Sequence, residues 1–312
     1  MQRSFQDYLF LMARGMGMGA ADVIPGVSGG TIAFITGIYQ ELVNSIRSVN
    51  TAFFRLLFSK GIPAAWKHVN GTFLVSVLGG ILVSIFSLAR LLSWLLAHYQ
   101  ALVWAFFFGL IVGSALFIGR KITAWNLPAI LLLLGGTGAA YLVTISTPAT
   151  TTEAWWFIFL TGSIAICAMI LPGISGSFIL LLLGKYEFMM HAVRDLKADI
   201  LAVFALGCLA GIIAFSHVIS WLFRKYPDAT MALLAGFMIG SLNKLWPWKE
   251  VLSFREISPG EIIPLAERSI SPARFEALYQ TDPMLWQALA CAVAGMAIIF
   301  LFERAGKKHR HA

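Results

Sequence analysis

The chain has 312 residues, of which 59% are apolar and only 12% charged, with a mean hydropathy of +0.80 and a formal net charge of +8. A soluble domain carries about 45–50% apolar and about 25% charged residues, so this composition excludes a soluble globular protein and points to an integral membrane protein. Cys167, Cys208 and Cys291 all fall in apolar segments without metal-like spacing and are expected to pack as small hydrophobes. No metal, cofactor or nucleic-acid partner is expected.

The first apolar stretch, about 5–47, is interrupted by Asp7, Arg14 and Asp22 and then by Pro25-Gly26-Val27-Ser28-Gly29-Gly30-Thr31. It lacks the clean hydrophobic core and small-residue cleavage site of a secretory signal, so it is expected to stay on the protein. In 51–69, Phe53, Phe54, Leu56, Leu57, Phe58 and Trp66 are interspersed with Arg55, Lys60 and Lys67, the composition of a helix lying in the membrane interface. Three segments of near-spanning length follow, at 72–97, 101–119 and 127–145. A second interrupted stretch, about 155–192, carries Leu171-Pro172-Gly173-Ile174-Ser175-Gly176-Ser177-Phe178. Two more spans are expected at 200–223 and 230–242. A Pro-rich, charged insertion at 244–284 reads as a solvated polar loop, and a sixth span at 285–302 precedes a basic tail. Trp66, Trp125, Trp155, Trp156, Trp246 and Trp248 lie beside span ends and read as interface anchors.

The chain is a duplication. At an offset of 147, residues 25–41 match 172–188 at seven of seventeen positions; at an offset of 127, residues 80–116 match 207–243 at eleven of thirty-seven. The domains are therefore 1–147 and 148–312, each an interrupted segment plus three spans. Positive charge decides how the interrupted segments sit. If both are re-entrant hairpins, fourteen Lys and Arg residues gather on the side of the termini against eight opposite; if both cross, the ratio reverses and strands the basic tail on the poorer side. The expected fold is thus an all-α polytopic membrane protein of two inverted-topology repeats, each a re-entrant helical hairpin plus three transmembrane helices, with both termini cytoplasmic. Such repeats, with broken helices meeting near the midplane, are the architecture of alternating-access transporters.

A helix-breaking Pro-Gly-x-Ser-Gly within lipid is costly unless it builds a site. The break frees backbone N–H groups at the start of the next half-helix, where an anion is favoured and glycine permits close approach. Gly26, Ser28, Gly29, Gly30 and Thr31, with Gly173, Ser175, Gly176 and Ser177, are the candidate anion-binding residues. Small residues for tight helix contact are the simpler explanation of either copy alone. Asp22 is the one carboxylate deep in a hairpin and reads as a proton carrier, as a helix cap or as a partner of Arg14. Arg14, Lys185, Arg90 and His217 are candidate charge-balancing residues, although Arg90 and His217 sit near span ends where snorkelling explains them equally. Gly26-Val27-Ser28-Gly29-Gly30 also satisfies the Gly-x-Ser-x-Gly of serine hydrolases, but no histidine recurs at matching positions of the two copies.

These paired motifs, continued by Gly37-Ile38-Tyr39-Gln40-Glu41 and Gly184-Lys185-Tyr186, closely resemble the bacterial polyprenyl-phosphate (undecaprenyl-phosphate) transporter PopT family, formerly catalogued as domain of unknown function 368. The resemblance runs from about residue 15 to 302. It implies a plasma-membrane transporter, not an enzyme, that returns undecaprenyl phosphate from the outer to the cytoplasmic leaflet for envelope and peptidoglycan synthesis. The implied partners are that lipid and the surrounding membrane, with coupling to a proton or sodium gradient an open option. A transporter of another small or lipid anion would share the architecture.

Overall fold

The computed structural model describes residues 3–23, 28–149, 151–258 and 261–308. The chain folds as α1 (Phe5–Val23), α2 (Gly29–Ile35), α3 (Tyr39–Arg47), α4 (Thr51–Lys60), α5 (Ile62–His68), α6 (Gly71–His98), α7 (Gln100–Gly119) and α8 (Leu127–Ile145). It continues as α9 (Trp155–Ile170), α10 (Gly176–Leu182), α11 (Tyr186–Arg194), α12 (Ala198–Lys225), α13 (Pro227–Leu245), strands β1 (Lys249–Ser258) and β2 (Glu261–Ser269), α14 (Pro272–Tyr279) and α15 (Leu285–Lys308).

All six expected spans are helical, as α6, α7, α8, α12, α13 and α15. By length and apolarity alone, α6, α7, α8 and α12 are each sufficient to cross a bilayer. α13 carries Asp228, Asn243 and Lys244, yet Leu234, Ala235, Met238 and Gly240 along it are buried against protein, so it meets less lipid and needs less hydropathy. The protein is a multi-pass membrane protein, helical throughout its apolar part.

Both interrupted stretches fold back as helical hairpins, α2 packing on α1 and α10 on α9. The two half-helices also end alike. Gly37 and Gly184 hold φ of +76° and +63°, and the residues after them reach back along the helix, Ile38 N to Ala33 O at 3.0 Å and Lys185 N to Leu180 O at 2.8 Å. Only glycine adopts that left-handed turn without a Cβ penalty, and it satisfies carbonyls that lipid would leave bare. The second ending turns the chain through 110° between α10 and α11.

The duplication extends to the helix crossings. Four pairs dominate the bundle: α1 with α6, α9 with α12, α7 with α15 and α13 with α8. Each is closed by a glycine from either side, set against the partner's backbone: Gly15 on Val77 and Gly80 on Met12; Gly162 on Phe204 and Gly207 on Phe159; Gly109 on Ala292 and Gly295 on Phe106; Gly236 and Gly136 on Leu133 and Leu233. A Cβ at any of the eight would collide with a carbonyl oxygen. In lipid, where apolar burial cannot drive helices together, such contact supplies the packing.

Two regions differ from the sequence reading. Residues 244–284 are not an open loop: β1 and β2 pair antiparallel, from Lys249 opposite Ser269 to Ser258 opposite Glu261, and α14 follows. The insertion is fastened by Trp246 and Trp248, whose indoles donate to the carbonyls of Ile270 and Pro283 at 2.8 and 2.9 Å; Trp248 packs with Ala105, Ile270 and Ala288. These two tryptophans fasten the insertion rather than face the membrane, whereas Trp66, Trp125, Trp155 and Trp156 do point outward. The interfacial segment is two short helices, α4 and α5, with Phe54, Phe58, Ile62 and Trp66 exposed.

Gly109→Ala should lower the midpoint of thermal unfolding in detergent, by an amount equivalent to about 1–3 kcal/mol of overpacking. Gly138→Ala, where a Cβ meets open space, should stay within about 0.5 kcal/mol of the parent protein.

Candidate functional site

The two helix breaks meet. Ser28, fully buried at the N-cap of α2, donates through Oγ to the Met169 carbonyl at 2.6 Å and accepts from Gly30 N at 3.0 Å. Thr31, also fully buried, accepts through Oγ1 from Gly173 N at 3.0 Å. Gly30 lies so close to the Ile170 carbonyl that a Cβ would not fit, and Gly173, at φ +91°, is pressed against Met238 and Ser241 of α13. Each turn thereby supplies the other with partners that hydrocarbon would deny it. Gly26 lies outside the described residues.

The two half-helix starts are not equivalent. At the first, Asp22 accepts from Gly29 N at 2.7 Å and Ser28 caps Gly30, so a carboxylate already stands where an anion would bind. At the second, Ser175 makes no capping bond; its hydroxyl is 2.7 Å from that of Ser177. Gly176 packs against the Ala165 carbonyl. Beside this start lies a cleft of about 10 Å³, room for about one water molecule, lined by Gly173, Ser175, Phe178, Thr144 and Lys244.

Lys244 was not singled out by sequence reasoning, which ended the span at residue 242 and assigned Lys244 to the loop. Its ammonium lies 5.1 Å from the Phe178 ring centre and 2.6 Å from Glu267 Oε2. Lys249 shares the same carboxylate at 3.3 Å, donates to the Lys244 carbonyl at 2.6 Å and faces Trp104. Burial, with Lys244 adding to it, pushes the Lys249 ammonium down to about 8, and the two lysines hold Glu267 below the usual carboxylate range. The trio carries a net positive charge, and its Lys244 borders Ser175. Lys244 has Phe117 at its repeat-equivalent position and Glu267 comes from the insertion, so the duplication gave no signal for either.

The remaining candidates lie elsewhere. Lys185 is buried at the start of α11, donating to the Thr151 carbonyl at 3.1 Å and facing Phe188, at the mouth of the second hairpin. Arg14 is half-buried on α1. Arg90 is exposed on α6, and His217, exposed on α12, bonds its own helix at Ile213 O. Neither is brought to the turns.

The mouths of the hairpins differ as well. At the first, Phe34, Tyr39 and Phe223 form a ring cluster with centres 5.1 to 6.3 Å apart, Ser220 donates to Asn44 at 3.0 Å, and Arg3 forms a two-pronged pair with Glu41 that Asn70 also joins. The repeat-equivalents of Phe34, Tyr39 and Phe223 are Leu181, Tyr186 and Leu96, all partly exposed. α2 is buried along most of its length, whereas no residue of α10 is fully buried. One mouth is sealed and the other loosely covered.

Comparison with known proteins identifies relatives along most of the chain. Residues 18–263 match the model of the VCA0040-like family, described as undecaprenyl phosphate translocase-like. The chain is 46% identical over 303 residues to a polyprenyl-phosphate transporter of Vibrio cholerae, covering 97% of this chain and 98% of that one. It is 32% identical over 252 residues to a polyprenyl-phosphate transporter of Staphylococcus aureus, covering 75% of this chain and 84% of the relative. No solved structure matches. With both helix breaks, the whole second hairpin and most of the spans inside the matched region, the chain belongs to the undecaprenyl phosphate translocase-like family.

Proposed function

We propose that the protein carries undecaprenyl phosphate across the bacterial plasma membrane, from the outer to the cytoplasmic leaflet, by alternating access, with the phosphate held between the Ser28–Thr31 and Gly173–Ser177 turns. The observation that carries the reading is the direct bonding of the two turns through Ser28, Thr31 and Gly173. The groups now joined are the ones that a phosphate would engage: when the turns part, the Ser28 hydroxyl and Gly173 N–H become free donors. Lys244 and the Ser175 and Ser177 hydroxyls border the second turn and supply charge and further donors. The two hairpins and their spans act as inverted repeats that separate on alternate sides, with both termini cytoplasmic. The sealed first mouth and looser second mouth suit a state turned toward the outer leaflet.

Asp22 gives this cycle a coupling device. A carboxylate on Gly29 N competes with an incoming phosphate for the first half-helix start, so protonation or displacement of Asp22 accompanies headgroup entry. The chemistry is transport rather than hydrolysis: Ser28 is committed to backbone partners and Ser175 faces Ser177, whereas hydrolysis needs a base beside the nucleophile.

Asp22→Asn retains a side-chain oxygen able to accept from Gly29 and removes the charge. In proteoliposomes, transport of undecaprenyl phosphate by this variant is expected to lose its dependence on a proton gradient; an unchanged dependence excludes Asp22 as the coupling group.

Lys244→Gln should weaken the apparent affinity for the lipid phosphate by about tenfold or more, as expected when a charge-assisted hydrogen bond of about 1.5–3 kcal/mol is lost.

Burial pushes the Lys249 ammonium down to about 8, so the charge of the cluster whose Lys244 borders Ser175 declines as pH rises through that value. Apparent affinity for the lipid should therefore fall between pH 7 and pH 9, and Lys249→Arg, which stays charged throughout, should flatten that fall.

A further inference from the structure

Beyond the aromatic seal, on the side away from the paired turns, α3, the turn after it and the end of α12 enclose a cavity of about 480 Å³. It is lined by Arg47, Arg224, Gln40, Asn44, Ser48 and Asn50, with Phe223 of the seal contributing to its wall. No carboxylate lines it, and among the described residues neither Arg47 nor Arg224 has an acidic partner. Arg47 is half-buried and Arg224 exposed at its rim, so the hollow carries two positive charges and no negative one.

We propose that this cavity binds a phosphate monoester group, at a site separate from the paired turns. Each guanidinium is a planar fork suited to paired phosphate oxygens, and a monoester dianion offers three terminal oxygens and a charge that balances both. A phosphodiester has two free oxygens and one charge and leaves a guanidinium unmatched. Asn44 and Gln40 add amide donors, and the volume admits the group together with ordered water. The monoester could be the headgroup of a lipid or free inorganic phosphate.

The test is isothermal titration of the full chain in nanodiscs of phosphatidylcholine, with inorganic phosphate and farnesyl phosphate as probes and phosphatidylglycerol as the diester control. Arg47→Gln/Arg224→Gln is expected to weaken inorganic phosphate binding about tenfold or more, the loss expected for charge-assisted bonds. Arg90→Gln, at a position exposed on α6 and lining neither this hollow nor the paired turns, should leave it unchanged. Asn44→Asp guards against misfolding of the double variant: it can still accept from Ser220, now at 3.0 Å, and places a carboxylate in the cavity, so it too should weaken binding. Farnesyl phosphate competing with inorganic phosphate identifies the site as a headgroup dock; farnesyl phosphate binding indifferent to Arg47→Gln/Arg224→Gln and to Asn44→Asp identifies a site for the free anion. Equal affinities in parent and variant proteins, or equal competition by the diester, would overturn the proposal. The transport reading rests on the paired turns and stands or falls separately.

Discussion

A membrane interior offers no water to a broken helix, and that single constraint organises this protein. Every backbone N–H and C=O released by the Pro-Gly-x-Ser-Gly breaks must find a partner within the protein. Here the two breaks serve each other: Ser28 donates to the Met169 carbonyl in the last turn of α9, and Gly173 N donates to Thr31. In the proposed transport cycle, the bonds that make the breaks tolerable are the ones that a charged headgroup replaces.

Around that centre the chain keeps its helices close by subtraction. Glycines facing backbone at all four major crossings let helices approach without large side chains, and the glycines of one half recur at equivalent positions in the other. Departures from this symmetry are concentrated near the candidate site. Asp22 faces Met169 in the alignment, Phe178 stands in place of Thr31, and Lys244 in place of Phe117. One half-helix start is thus capped by a carboxylate and the other lies beside an ammonium, so the two ends are electrostatically opposite in spite of their shared ancestry.

Much of this was legible in the sequence because it depends on local signals. Uninterrupted apolar runs marked the spans, Pro-Gly-x-Ser-Gly marked the breaks, and repetition at two offsets showed that the breaks correspond. Asp22 was open to several readings, and its bond to Gly29 puts it at the first half-helix start, a position that a cap and a proton carrier share. The features that were missed depend on long-range packing. Proline and charge over 244–284 suggested solvent, but Trp246 and Trp248 fasten the insertion to the bundle and bring Glu267 back onto Lys244 and Lys249. Arg90 and His217 aligned in sequence yet face outward, because a position near a helix end does not determine which face it occupies.

The most direct measurement is a solid-state NMR distance between the phosphorus of undecaprenyl phosphate and the Gly173 amide nitrogen, with the protein trapped while loaded in a lipid bilayer. If the turns part to hold the headgroup, the two nuclei lie within about 4 Å, the reach of one N–H···O–P hydrogen bond. A loaded protein in which that distance is much longer and the Gly173 N–H remains bonded to Thr31 would contradict the account.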